Sequence, residues 1–244
     1  MPPRNVQAPQ RRDTSKGSPL AEVPAWVWVV SGVVVVGGLI VIYLLANTSS
    51  SGNASPAGVK SAMLAANCTY RDVAPLPPKK DPNGNNGGYH ADVPTLSTPT
   101  KGLWSTNPPS GGAHYGQWAI WGFYTQPVNP RQVVHNEEHG GVIIWYGPKV
   151  PKATVDKLQA FYNQSPDGMF GTPYAPLGNK IALTAWTGDP AKYYHDGYYG
   201  TGHIAICSNF DQKAFSKFRD AYVGGGPEGI PLKPYDQPGQ GPNS

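Results

Sequence analysis

His135 and His139 stand four residues apart in the run Val133-Val134-His135-Asn136-Glu137-Glu138-His139-Gly140-Gly141-Val142. Asn129 is a suitable helix cap, Pro130 fits the first helical position, and Gly140 is a natural stop, so the spacing predicts a helix over 130–139. On such a helix the two imidazoles share a face with Glu138, their Cβ atoms about 5 to 6 Å apart. Two ring nitrogens that close can chelate one cation. The competing reading is structural: a histidine near a helix C-terminus is stabilised by the helix dipole, and paired imidazoles often only hydrogen-bond carboxylates or carbonyls.

The elements that must position these groups lie in one outer domain, preceded by a very different segment. From Ala25 to Ala46 the chain carries no charge, and about 20 apolar residues suffice to cross a bilayer as a helix. Trp26, Trp28 and Tyr43 sit at its ends, where amphipathic rings prefer the headgroup level. The leader before the span holds Arg4, Arg11, Arg12 and Lys16, whereas residues 47–59 hold neither Lys nor Arg. The positive-inside rule therefore keeps the N-terminus cytoplasmic and places the rest outside the cell membrane. A cleaved signal peptide fits less well, because the apolar run exceeds the usual 7 to 15 residue core of such peptides.

The chain has 19 Lys and Arg against 15 Asp and Glu. With the leader's Arg4, Arg11, Arg12, Lys16, Asp13 and Glu22 set aside, the remainder is nearly neutral, which gives no basic surface for nucleic acid. A charged fraction of 14%, with 30 Gly and 27 Pro, implies a loop-rich fold. The expected organisation is a cytoplasmic leader over 1–24, a transmembrane helix over 25–46, a flexible linker over 47–65, one extracytoplasmic domain over 66–232 and a disordered tail over 233–244.

Within the domain, Tyr70 to Asn107 carries many Pro and Gly signals and is expected to be coil. Gln117 to Tyr124 is a strand candidate by its aromatic content. Val142–Tyr146 and Ile181–Thr187 are further strands. Lys152 to Gln164 and Asp211 to Val223 show helical apolar spacing. Asp196-Gly197, between Tyr193-Tyr194 and Tyr198-Tyr199, signals a hairpin leading into Ile204-Ala205-Ile206. The fold class is therefore α+β: a small sandwich with long irregular loops and its helices on one face of the sheet. Trp118, Trp121, Trp145 and Trp186 are assigned to strands and the core; the four tyrosines are left open.

Cys68 and Cys207 are the only cysteines. Outside the cytoplasm they pair most simply as a disulfide, which in the chain-entropy model restricts the unfolded chain by about 4 to 5 kcal/mol. A thiolate metal ligand or a buried free thiol are the alternatives, the first disfavoured by the absence of a CxxC spacing.

The segments Asn107-Pro108-Pro109-Ser110-Gly111-Gly112-Ala113-His114, Val134 to Val142, Ala182 to Trp186 and Pro227-Glu228 resemble, in this order, bacterial membrane-anchored proteins with the domain of unknown function 3105. Relatives often carry a cysteine where this chain has Trp121, so their cysteine pairing does not carry over. The resemblance points to His114, after the stiff Pro108-Pro109 turn, and to His90, after the Gly-rich loop, as partners of the helical pair. His90, His114, His135 and His139 are then expected to surround one ion, with His195 and His203 in structural or surface roles.

Imidazole sites suit copper, zinc, nickel or iron, and affinity peaks at Cu(II). Only Met63 and Met169 follow the span, which argues against a Met-rich Cu(I) carrier. The expected function is a membrane-anchored, extracytoplasmic metal-binding protein, with copper preferred and zinc the alternative. One competing class is an aromatic-rich binding module for a membrane complex or a cell-envelope polymer. Another is a zinc hydrolase, because His135 to His139 formally matches His-x-x-Glu-His; the match is short, and Gly140-Gly141 ends the helix directly after it.

Overall fold

The computed structural model describes residues 56–79 and 88–242. The expected leader and transmembrane helix lie outside the described residues. Among the described residues no helix is long and apolar enough to cross a membrane. What is described is a mixed α+β domain around a five-stranded sheet.

In chain order the elements are α1 (Pro56–Ala65), β1 (Cys68–Val73), α2 (Gly88–Asp92), α3 (Pro130–Glu138), β2 (Val142–Tyr146), α4 (Lys152–Gln164), β3 (Met169–Pro173), β4 (Ile181–Thr187), β5 (Thr201–Cys207), α5 (Gln212–Tyr222) and α6 (Leu232–Tyr235). The sheet runs β1-β5-β4-β2-β3. Only β2 and β3 are parallel, and α4 supplies the crossover that a parallel pair requires.

Alternation along β2 divides two cores. Val142, Ile144 and Tyr146 face one layer, where Val59 and Met63 of α1, Leu158 and Phe161 of α4, and Phe215 and Phe218 of α5 pack. Ile143 and Trp145 face the other layer with Trp121, Val133 and Phe170. All five residues of β2 are buried, as a strand covered on both sides must be. The expectation of helices on one face is thus corrected. Helices α1, α4 and α5 cover one face, whereas α3 and the loops around it cover the other.

The limits of the domain also differ from expectation. Residues 56–65, expected to be linker, form α1, because Val59 and Met63 find apolar partners in the core. In the segment expected as tail, Leu232–Tyr235 form α6 and Asp236 is fully buried.

Residues 68–73, assigned to coil or left unassigned, form edge strand β1, its ladder aligning Cys68 with Cys207. These two cysteines form a disulfide, their Cα atoms 4.2 Å apart.

The expected strand at 117–124 is absent apart from one bridge, Phe123 to Gly171. In its place the Asn136 side chain pairs with both backbone groups of Ala119, accepting from its N–H and donating to its carbonyl at 2.9 Å each. A side-chain amide thus takes the place of a neighbouring strand. The predicted hairpin at 192–207 lacks its first arm: residues 188–200 are turns and irregular backbone, and only β5 is a strand.

Candidate metal centre

Helix α3 begins as the sequence predicts. The Asn129 side chain accepts from the Arg131 N–H at 3.1 Å, and Pro130 follows it. It ends at Glu138, His139 forming the cap, and Gly140 turns the chain away at φ +107°. A Cβ at Gly140 would stand 2.9 Å from the Gly224 Cα. That close approach, not the positive φ alone, explains the glycine there.

Every residue of α3 from Val133 to Glu138 is buried, although four of these six are polar. Burying polar groups is costly unless each is partnered, so the partners define what the helix is for. Asn136 holds the 117–121 loop. Glu137 turns toward the sheet, where it accepts from the Thr184 hydroxyl, itself an acceptor for the Trp145 indole N–H at 2.7 Å. Burial pushes the Glu137 carboxyl well above the usual carboxylate range. These two residues anchor the helix, leaving His135, Glu138 and His139 for another face.

His114 is delivered by the Pro108-Pro109-Ser110-Gly111-Gly112 loop. A Cβ at Gly111 would stand 2.8 Å from the Trp186 ring, so only glycine lets this backbone pass so close to the indole. The His114 Nδ1 lies 2.6 Å from the Gly112 carbonyl. A carbonyl can only accept, so Nδ1 carries a proton and Nε2 is the nitrogen left to face Glu138. That Nε2 is 2.8 Å from the Glu138 Oε2 and has no hydrogen-bond donor facing it. Two acceptors at this distance need a cation between them, whether a proton or a metal ion.

His135 repeats the pattern. Its Nδ1 lies 3.0 Å from the Tyr115 carbonyl, which fixes the proton there and frees Nε2. Burial and the neighbouring His114 drive its pKa down to about 3, so its ring stays neutral, the form that binds metals. His90, on α2, is carried by buried Tyr89 and stacks on His135 with ring centroids 4.9 Å apart. Its Nε2 is 3.6 Å from the Glu138 Oε2, and that carboxylate raises the His90 pKa against the opposing effect of burial. Glu138 is fixed from its other oxygen by the Tyr193 hydroxyl. Burial alone would raise its pKa, but His114 and then His90 outweigh it and hold the carboxyl well below its usual range.

His90, His114, His135 and Glu138 each offer one ligand atom, and these four atoms lie within 4.8 Å of one another. His139 belongs to a different group, with His135 and Glu228, again within 4.8 Å. The four histidines expected around one ion are therefore divided: three converge with Glu138, and His139 lies on the other side of His135. His139 is oriented by Asp236, whose Oδ1 is 3.2 Å from its Nδ1, and its Nε2 is 3.6 Å from the Glu228 Oε2. Trp118 covers both helical histidines, its ring 5.4 Å from His135 and 4.8 Å from His139.

Sequence reasoning noted Glu138 on the histidine face and Glu228 in the Pro-Glu motif without making either a ligand. It missed Asp236 altogether. Burial raises the pKa of Glu228, the nearby Glu138 adding to the effect, and burial likewise raises that of Asp236.

His195 is exposed on the turn segment. His203 is stacked on Tyr222 and held between Thr187 and Asp72, a structural role. Of the four tyrosines left open, Tyr193 is buried against Glu138, while Tyr194 and Tyr199 pack around Tyr89. Trp121, Trp145 and Trp186 are core residues; half-buried Trp118 lies outside any strand, over the histidines.

A family model described as a protein of unknown function, DUF3105, matches residues 98–233, more than half of the chain. The chain belongs to this family. The DUF3105 match encloses His114, His135, Glu138, His139 and Glu228, whereas His90 and Asp236 fall outside it. No curated protein and no solved structure matches the chain.

Proposed function

We propose that this protein is a membrane-anchored, extracytoplasmic metal-binding protein whose ion is held by His90, His114, His135 and Glu138. The observation that carries the reading is the pair of lone pairs at the centre. His114 and His135 each spend Nδ1–H on a backbone carbonyl; the His114 Nε2 then faces the buried Glu138 carboxylate at 2.8 Å, and His135 offers a ring nitrogen within 4.8 Å of the same carboxylate. Backbone partners of this kind fix the tautomer and aim of metal-binding imidazoles. A folded interior that gathers such groups without donors gains from a cation between them.

Three imidazole nitrogens and one carboxylate oxygen suit Cu(II) and Zn(II). The cysteines are joined in a disulfide, and Met63 and Met169 are fully buried in the apolar core, which leaves no soft sulfur for Cu(I) among the described residues. Copper is the preferred ion, because affinity for nitrogen and oxygen donors peaks at Cu(II). Zinc is the alternative. The anchor rests on the uncharged run over 25–46, and the outside location on the basic leader and the uncharged flank beyond the span. The bilayer is then one partner, and a neighbouring membrane protein that gives or receives the ion is the other. A hydrolase fits less well: Glu138, the glutamate of the His-x-x-Glu-His pattern, is engaged by His114 and Tyr193 and would itself ligate the ion, which takes it out of the role of base.

Competition tests the choice of ion. The full chain in detergent, titrated with Cu(II) and Zn(II) against chelators of known strength, should hold Cu(II) more tightly. Tighter Zn(II) binding would replace copper by zinc and leave the site as proposed.

A further inference from the structure

His135 is the one side chain common to the two ligand groups, His90/His114/His135/Glu138 and His135/His139/Glu228. Its Nδ1 is committed to the Tyr115 carbonyl at 3.0 Å, so only Nε2 is available. A single lone pair serves one ion at a time. The two groups also differ in kind. The first has four ligand residues, three of them buried, which closes a tetrahedral ion; the second has three, which leaves a position open to an incoming ligand. Each seat reaches solvent through one ligand, the His90 side chain at 47% exposed in the first and the Glu228 side chain at 32% in the second, so what separates the two seats is the number of ligands.

Both groups are built in the same manner. As Glu138 is fixed by Tyr193, so His139 is fixed by the buried carboxylate of Asp236. Glu228 reaches His139 because Gly224-Gly225-Gly226 docks on the end of α3: the Gly224 N–H donates to the Gly140 carbonyl at 2.8 Å, and Gly226 lies against the Glu138 carbonyl. Trp118 closes over His135 and His139 together, holding the shared ligand and its outer neighbour under one ring.

Resting on the metal reading above, we propose that the two groups are alternative seats for one ion: a closed holding seat and an open exchange seat, with His135 as the ligand that never lets go. Movement between them is stepwise ligand substitution. The bonds to His139 and Glu228 form as those to His90, His114 and Glu138 break, with no change of oxidation state, and a proton from solvent takes the ion's place between the His114 Nε2 and the Glu138 Oε2. The outer seat, with three ligands and an open position, is where a chelating side chain of an acceptor or donor protein would add to the ion. Stepwise substitution keeps the ion coordinated throughout, which makes transfer faster than full dissociation from four ligands.

The test is kinetic. The full chain in detergent is loaded with Zn(II), and its removal by a chromogenic chelator is followed by stopped flow for the parent, Glu228→Gln and His139→Gln. Because Glu228 is partly exposed, its replacement leaves the fold intact. The proposal expects one equivalent bound in all three, with affinities within about threefold of the parent but removal about tenfold or more slower in both variants. Unchanged removal rates overturn it. So does a parent that binds two equivalents, one of them lost in Glu228→Gln, which would mean two independent sites. A parent that binds no ion is a different result, since it overturns the metal reading itself.

Discussion

Asp236, from the C-terminal segment, places its Oδ1 3.2 Å from the Nδ1 of His139 although the two are 97 residues apart. The contact ties the C-terminal segment to the end of α3. Its neighbours reinforce it: the Gly168 N–H donates to the Asp236 carbonyl at 2.8 Å, and the Trp121 N–H to that of Gln240 at 2.9 Å. The chain beyond Pro231 is thus a strap that fixes one ligand.

Asp236→Ala removes the acceptor and leaves the buried His139 Nδ1–H without a partner. An unsatisfied buried donor costs about 1 to 3 kcal/mol. Chemical denaturation of the full chain in detergent should show a loss in that range, and a variant as stable as the parent would mean that the strap does not hold His139.

Tyr193→Phe deletes the hydroxyl that donates to Glu138 and changes little else in volume. Partners that orient a ligand typically contribute about 10 to 100-fold in metal affinity. The variant should bind Cu(II) that much more weakly with an unaltered circular dichroism spectrum. Equal affinity would place Tyr193 in packing alone.

His203 offers a test independent of the metal centre. Its Nδ1 is 2.6 Å from Asp72, its Nε2 2.8 Å from the Thr187 hydroxyl, and its ring lies on Tyr222. Burial lowers its pKa, and Asp72 only partly opposes the effect. The unfolded chain therefore binds a proton first, from about pH 6.5 downward. The contribution of His203 to stability is complete above that pH and is lost as pH falls toward the lower folded value. Other groups titrate as well, so the readout is a difference. On acidification from pH 7.5 to 5, the parent should lose more stability than His203→Gln, and equal losses would contradict the assignment.

Much of this arrangement is legible in the chain because it is local. Asn129, Pro130 and Gly140 mark the limits of α3. The spacing of His135, Glu138 and His139 puts them on one side of it, and apolar spacing identifies α4, α5, β2 and β4. What escapes is set by contacts distant in sequence. Strand β1 hides because, at the edge of the sheet, it exposes Thr69, Arg71 and Asp72, leaving a weak apolar signal amid coil-forming neighbours. The division of the four histidines follows from where the Pro108-Pro109 loop and α2 dock, which no spacing encodes. Asp236 lies among Pro, Gly and Gln and reads like any solvated tail residue. It becomes a buried partner only once Gly168 and Trp121 bind the backbone around it.

The disulfide between Cys68 and Cys207 closes a loop of 139 residues. In the entropy model such a loop contributes about 4 to 5 kcal/mol, less with strain. Reduction should lower the denaturation midpoint markedly, and free-thiol labelling of the unreduced, denatured chain should find none. Two labelled thiols would remove the cross-link.

Metal content under competition tests the central claim most directly. The full chain purified in detergent, exposed to excess Cu(II) or Zn(II) and freed of loose ions by gel filtration, should retain about one equivalent by elemental analysis. Glu138→Gln and His135→Ala should each retain less than about a tenth of that, because too few ligands remain to displace water from the ion, while His195→Ala should match the parent. A parent that retains less than about a tenth of an equivalent of both metals, or a His135→Ala variant that binds as tightly as the parent, would contradict the account.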